Sequence, residues 1–197
     1  SAGNVVNPMD YMEKYGIDAF RYFLAREMVV GQDANFTHDA FVRRINSDLA
    51  NDLGNVLNRV HRLVLNNFEG KLPAATSISE AEKEVIDLAN KVIAEIKEGL
   101  PQARLSQSIE TIMQLVRSIN RYLEVKAPWK LAKDPALKDE LATVLYVSAE
   151  AVRLSLCLLW PVIPAKAEEG LAMIGCKFQS ADDLAWGILK GGETFGE

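Results

Sequence analysis

The sequence predicts an all-α fold: a bundle of about five helices behind a short leading helical segment. Three observations predict it. Apolar residues recur at spacings of three and four along most of the chain. No stretch shows the period-two alternation of a half-buried strand. The breaks between periodic stretches carry helix punctuation, with Asn, Asp, Thr or Ser ahead of a helix and Gly or Pro behind it.

The elements follow in order. Asn7 is placed to cap a helix that has Pro8 at its first position, runs to Tyr15 and stops at Gly16. Asp18 then reads as the cap of a second helix reaching about Val29, with Phe20, Phe23, Leu24 and Met28 on its apolar face. Gly31 to Phe36 is a polar connection. Thr37 starts a long helix through about Asn67, whose stripe is Phe41, Ile45, Leu49, Leu53, Val56, Val60 and Val64; Gly70 and Pro73 mark its exit.

Ser79 and Glu82 form a capping-box pattern ahead of Val85, Leu88, Ala89, Val92, Ile93 and Ile96. That helix stops near Gly99-Leu100-Pro101. Ser106 or Ser108 opens the next, which carries Ile109, Ile112, Met113, Val116, Ile119 and Leu123 until Pro128 interrupts it. Lys133-Asp134-Pro135 is a turn. Lys138 to Trp160 is strongly apolar and ends at Pro161, with Trp160 read as core at a rigid corner. Pro164 to Met173 is a shorter helix, and Ser180 to Asp183 cap a last turn near Trp186. The expected organisation is a linker over 1–36, a bundle over 37–175 and a tail over 176–197 that packs back on one or the other.

Composition narrows the function classes. The chain has 197 residues, 49% hydrophobic and 25% charged, enough for a sizeable core and unlike a disordered protein. No charge-free apolar run of about 18 residues exists, so no membrane span is expected. The first residues lack the basic stretch and apolar core of a signal peptide, and they lack an initiator Met. Two cysteines and two histidines do not make a short-spaced zinc signature, so no metal site is expected. Twenty-two Lys and Arg against 27 Asp and Glu give a net charge of −5. That disfavours a wide duplex footprint and leaves room for a local one.

No Gly-rich phosphate loop, HExxH pair or nucleophile elbow is present. His61 reads as a surface or boundary residue, His38 as a solvated side chain in a first helical turn, and Cys157 as an inert core thiol. Polar density inside the long helix is more informative: Asn51, Asp52, Asn55, Asn58, Arg59 and Arg62 crowd it. Asn55 and Arg59 are four apart and share a face. An amide and a guanidinium fork suit base edges, and they equally suit a solvated face with an internal hydrogen bond. In Asn120-Arg121-Tyr122-Leu123-Glu124-Val125-Lys126-Ala127-Pro128-Trp129 a helix breaks beside an aromatic. Trp129 there either packs in the core or offers a face for stacking an unpaired base.

These stretches carry a resemblance to the C-terminal portion of the methionyl-tRNA synthetases, class I aminoacyl-tRNA synthetases. Ser1 to Pro8 resembles the run that closes and follows their KMSKS signature, Ser1 matching its last serine. Tyr15-Gly16-Ile17-Asp18-Ala19-Phe20-Arg21-Tyr22-Phe23-Leu24 and Gly31 to Phe36 resemble the segment joining catalytic core to helix bundle. Asn51-Asp52-Leu53-Gly54-Asn55-Val56-Leu57-Asn58-Arg59 and Ala127-Pro128-Trp129 resemble the anticodon-reading elements. The resemblance implies an anticodon-binding helix bundle, with 1–36 a remnant of the stem-contact region. It implies that Asn55 and Arg59 hydrogen-bond anticodon bases, that Trp129 stacks the wobble cytosine of CAU, that Pro128 shapes the pocket and that Glu124 lies nearby. It gives Ser1 the place of a remnant of the ATP-side signature and leaves this stretch no catalytic residue.

The implied partners are the anticodon loop of tRNA(Met) and a preceding catalytic domain, in the cytoplasm, with no DNA or membrane. The implied cofactors are none in this stretch, and ATP with Mg2+ plus a zinc-bearing insertion in the part that would precede Ser1. Backbone attraction would come from Arg43, Arg44, Arg62, Lys126, Lys130 and Lys133. Two other readings stay open: a helical protein-interaction scaffold, and the C-terminal part of a class I synthetase of another specificity. The anticodon reading expects Asn55 and Arg59 to face Trp129 across a solvent-open slot about one base wide.

Overall fold

The computed structural model describes residues 7–27, 36–99 and 104–196. Ser1, the connection 31–35, the second helix's end at Met28 and Val29, and Leu100-Pro101 lie outside them. The described residues form α1 (Pro8–Tyr15), α2 (Ile17–Glu27), α3 (His38–Arg44), a π-helical segment (Ile45–Gly54), α4 (Asn55–Phe68), α5 (Glu80–Lys97), α6 (Leu105–Lys126), α7 (Pro128–Leu131), α8 (Lys138–Leu159) and α9 (Pro164–Met173). Short 3-10 turns sit at Pro135–Leu137 and Ala181–Asp183. Among the described residues no strand forms, and the one isolated antiparallel bridge joins Lys71 to Thr194.

Helix α8 is the centre of the bundle. Almost every residue from Leu141 to Leu159 is buried, and α4, α5, α6, α7 and α9 pack around it. Residues Pro135–Leu159 are long and apolar enough to cross a membrane by length and composition, and 94% of their most apolar 18-residue window is buried inside the fold. A second cluster of Ala19, Phe23 and Phe41, flanked by Tyr11, Tyr15, Phe20 and Phe36, ties α1 and α2 to α3.

Local signals explain many termini. Asn7 accepts the Met9 N–H at 3.0 Å, with Pro8 at the first position of α1. Thr37 caps α3 through the Ala40 N–H at 3.1 Å. The capping box at Ser79 and Glu82 forms, and Ser180 and Asp183 close the last 3-10 turn.

Four sequence expectations change, and a fifth, the surface or boundary placement of His61, changes with them. Asp18 lies inside α2 and does not cap it. Its carboxylate accepts the Lys166 N–H at 2.7 Å, in the first turn of α9, whose own N-cap Ile163 has no side chain to offer. The long helix is continuous in space, but its π-helical register runs from Ile45 to Gly54. Gly54 fits there because a Cβ would meet the Leu49 carbonyl at 3.0 Å. Neither Ser106 nor Ser108 caps α6: Ser106 donates to the Arg26 carbonyl and Ser108 back to the Arg104 carbonyl at 3.0 Å. Trp160 is only half-buried; it tilts against Phe178 and its indole N–H reaches Glu168 at 3.2 Å.

The histidines and the core cysteine resolve in different ways. His61 is buried, bonded to the Gly196 carbonyl and stacked on Phe195, because the chain's end crosses α4. His38 is exposed, with its Nδ1 2.9 Å from the Tyr11 hydroxyl. Cys157 is buried, and burial pushes its thiol up to about 11.

The tail closes over a buried ion pair on α8. Arg153 donates Nε and Nη2 to Glu150 at 2.8 and 2.7 Å, both side chains being at most 2% exposed. Arg153 also donates to the carbonyls of Asp183 and Ala185, each at 2.7 Å. Glu150 accepts the N–H groups of Gly187, Ile188 and Leu189. The tail then pairs with Gly70 and Leu72 and buries Phe195.

A second buried carboxylate, Glu82, joins α5 to α6. Burial alone would raise its pKa, but hydrogen bonds from Ser79, Tyr122 and Lys126 outweigh burial and bring it down to about 2.

Two outcomes follow. Arg153→Met leaves Glu150 buried without its cation and should cost about 3–5 kcal/mol in urea unfolding. It should also open the segment after Met173 to protease in the otherwise folded chain. Glu82 is ionised when folded above about pH 2 and when unfolded only above 4.5. Its contribution is therefore complete above 4.5 and lost as pH falls toward 2. Glu82→Gln should be less stable than the parent at neutral pH by up to roughly 3 kcal/mol. Urea unfolding at falling pH should show that gap closing.

Candidate functional site

Polar residues of the long helix and the break after α6 meet at one place. Asn55 is the first residue of α4, just after the π segment, and stands exposed. Arg59 follows one turn later. Across from it α6 ends at Ala127, which takes a left-handed conformation at φ 46° and returns its N–H to the Leu123 carbonyl at 2.9 Å. That turn lets Pro128 take the first position of α7, where it is buried, and brings Trp129 out with 36% of its surface exposed.

The guanidinium of Arg59 lies 4.9 Å from the Trp129 ring centroid, and its Nη2 donates to Glu124 at 2.6 Å. Arg59, Glu124 and Trp129 therefore form one cluster on the surface. Asn55 lies one helical turn before Arg59 on α4, and Pro128 is buried directly before Trp129. The expected open slot is not there, because the guanidinium rests on the ring and leaves no room for a base between them.

Magnitudes say how firmly that arrangement holds. Glu124 is 62% exposed, and an ion pair so open to water contributes about 0–1 kcal/mol. A cation over an exposed indole adds about 0.5–1 kcal/mol. Stacking of an unpaired base on an aromatic is worth about 1–3 kcal/mol. The contacts that hold the guanidinium on the ring are thus together of the same order as one stacking interaction.

The frame around the cluster is held harder. Asn120 of α6 donates to the Asp52 carbonyl at 2.9 Å, and Arg117 lies 3.6 Å from the Asp52 carboxylate. These contacts pin the end of the π segment, just before Asn55. Burial raises the Asp52 pKa, against the pull of Arg117. Sequence reasoning missed Asn120 in this role, although an asparagine inside a helix was a usable signal. Of the six basic residues expected near a phosphate backbone, Arg44 pairs with Glu27 and Asp48, and Lys126 with Glu82 and Glu140. Arg43, Arg62, Lys130 and Lys133 are exposed.

Among the described residues, no group of three or more His, Cys, Asp or Glu is placed to hold a metal ion.

Comparison with known proteins decides the family. Residues 72–195 match the anticodon binding domain of methionyl tRNA ligase, and residues 1–61 match the class I (M) tRNA synthetases. The chain belongs to the methionyl-tRNA synthetase family. It is 37% identical over 194 residues to the methionine–tRNA ligase of Caldanaerobacter subterraneus, covering 98% of this chain and 30% of that protein. It is 38% identical over 195 residues to that of Bacillus subtilis, covering 96% and 29%. It superposes on Mycobacterium tuberculosis methionyl-tRNA synthetase in complex with methionyl-adenylate with a TM-score of 0.92 at 32% identity, over 99% of this chain and 39% of that one. The chain thus spans about 30% of the length of these relatives. The cluster bridges the two matched stretches: Asn55 and Arg59 fall in the first, and Glu124, Pro128 and Trp129 in the second.

Ala127 is a non-glycine residue in a left-handed turn, which costs about 1–2 kcal/mol. Ala127→Gly removes that strain but gains unfolded-state freedom, so it should leave stability unchanged or raise it by up to about 1 kcal/mol. Ala127→Val, β-branched at positive φ, should lower stability by more than about 1 kcal/mol. Urea unfolding of the three proteins gives the order, and equal stabilities would remove the argument for strain.

Proposed function

We propose that this chain reads the CAU anticodon of tRNA(Met) as the anticodon-binding part of a methionine–tRNA ligase. In this reading Trp129 stacks the wobble cytosine, Asn55 and Arg59 hydrogen-bond base edges, and Pro128 fixes the level of the ring. Glu124 holds Arg59 near the ring until a base arrives. The observation that carries it is the meeting of Arg59 and Trp129, from elements distant in sequence, at 4.9 Å on an exposed surface. A protein-interaction scaffold would have no reason to bring these groups together.

The net charge of −5 fits. Single-stranded loop bases are recognised by stacking and edge hydrogen bonds more than by a wide basic groove. Activation of methionine with ATP and Mg2+, and transfer to tRNA in the cytoplasm, belong in this reading to the part that the relatives carry beyond the stretch matched here. Any zinc site belongs there as well. The match to the anticodon domain of methionyl tRNA ligase favours methionine over another class I specificity.

The test is binding to an RNA hairpin carrying CAU in its loop. The chain should prefer it to the same hairpin with the cytosine replaced, and Trp129→Ala should weaken binding by about 1–3 kcal/mol. Indifference to the cytosine, or equal affinity of parent and variant, would overturn the reading.

A further inference from the structure

Trp129 is too exposed for the core alone to hold it, so its position depends on the turn that delivers it. That turn begins where α6 ends, and the last turn of a helix ordinarily frays. Here one buried carboxylate grips it from another element. Glu82, 2% exposed, sits in the first turn of α5. One of its oxygens takes the Ser79 N–H at 2.8 Å and also the Ser79 hydroxyl. The other takes the Tyr122 hydroxyl at 2.6 Å and the Lys126 ammonium at 3.0 Å.

Tyr122 and Lys126 are four apart, so they lie on one face of the closing turn of α6. Lys126 directly precedes Ala127, whose left-handed turn leads into Pro128 and Trp129. An alanine persists in such a conformation only where its surroundings over-determine it. Capping α5 needs one of the carboxylate oxygens. The second is committed to the helix end that carries the aromatic.

We propose that Glu82 is a positioning residue for Trp129, acting through Tyr122 and Lys126 on the turn at Ala127; its effect on RNA rests on the anticodon reading above. The test pairs an affinity measurement with a direct view of the ring. Affinity for the CAU hairpin is measured for Glu82→Gln and for Tyr122→Phe, each with Trp129 present and in a Trp129→Ala background. Tyr122→Phe leaves the capping box intact and guards against loss of folding in the first variant. Each should weaken binding about three- to tenfold with Trp129 present and less than about twofold without it, as coupled residues do.

In chains labelled with 5-fluorotryptophan, the Trp129 fluorine signal should shift or broaden in both variants while those of Trp160 and Trp186 stay in place. Equal losses in both backgrounds, or a Trp129 signal that neither variant moves, would overturn the proposal. If Trp129→Ala alone leaves binding unchanged, the anticodon reading fails by itself. The fluorine signal then still decides the positioning role: a shift confined to Trp129 upholds it and an unmoved signal overturns it.

Discussion

An α-helix that is apolar all round stands in water only when other elements surround it. Helix α8 is such a helix, and the rest of the fold is arranged as its coat. The helices α4, α5, α6, α7 and α9 cover most of it. Its two buried ions, Glu150 and Arg153, would each be costly alone. They satisfy one another, yet a bidentate pair leaves donors and acceptors unfilled. The segment from Asp183 to Leu189 fills them with two carbonyls and three N–H groups. The polar requirement of one helix thereby gives a glycine-rich tail a fixed path. That path carries Phe195 over His61 and closes the bundle at α4.

The same device recurs with other partners. Asp48, 2% exposed, accepts from Tyr22 at 2.7 Å and Arg26 at 3.3 Å, joining α2 to the π segment. Burial, with Asp48 beside it, pushes the Tyr22 hydroxyl up and keeps it a donor. Arg26 continues to Glu110 and Arg117 of α6, and Arg117 to Asp52. Buried carboxylates, Asp48 on one side and Glu82 on the other, anchor the frame around the surface cluster, and the partly exposed Glu110, Arg117 and Asp52 extend it. The cluster itself is built from an exposed ion pair and an exposed cation–ring contact. Strong constraints hold the backbone, and weak ones hold the side chains that would have to move for a ligand.

What the sequence discloses follows from the range of each interaction. Helix spacing and the caps at Asn7, Thr37, Ser79 and Ser180 are local, and all are readable. Asp18 looked like a local cap because nothing in the sequence ties it to Lys166 far along the chain. His61 looked peripheral because the chain end that buries it is equally remote. The π register was hidden for a different reason: α and π turns both place apolar groups at spacings near four, and the Gly54 contact with Leu49 appears only in three dimensions. At the cluster, the residue types and the break at Pro128 were legible. That Arg59 rests on Trp129 was not, since it depends on how α4 and α7 approach each other.

That resting contact changes how the charge balance is understood. A ring already covered by its own arginine is not an open slot, but the cover is held by interactions of about 1 kcal/mol each at most. Together they come to at most about 2 kcal/mol, within the range of about 1–3 kcal/mol that stacking of a base is worth. In the anticodon reading, displacing the guanidinium would also deliver a five-donor fork to the edge of the incoming base. In the anticodon reading proposed above, an acidic chain would bind a loop of RNA through a small surface whose closed state keeps the aromatic shielded and the cation paired. The precision of that exchange rests on the turn at Ala127, where a strained alanine, a buried proline and a gripped helix end set the ring's place before any ligand arrives.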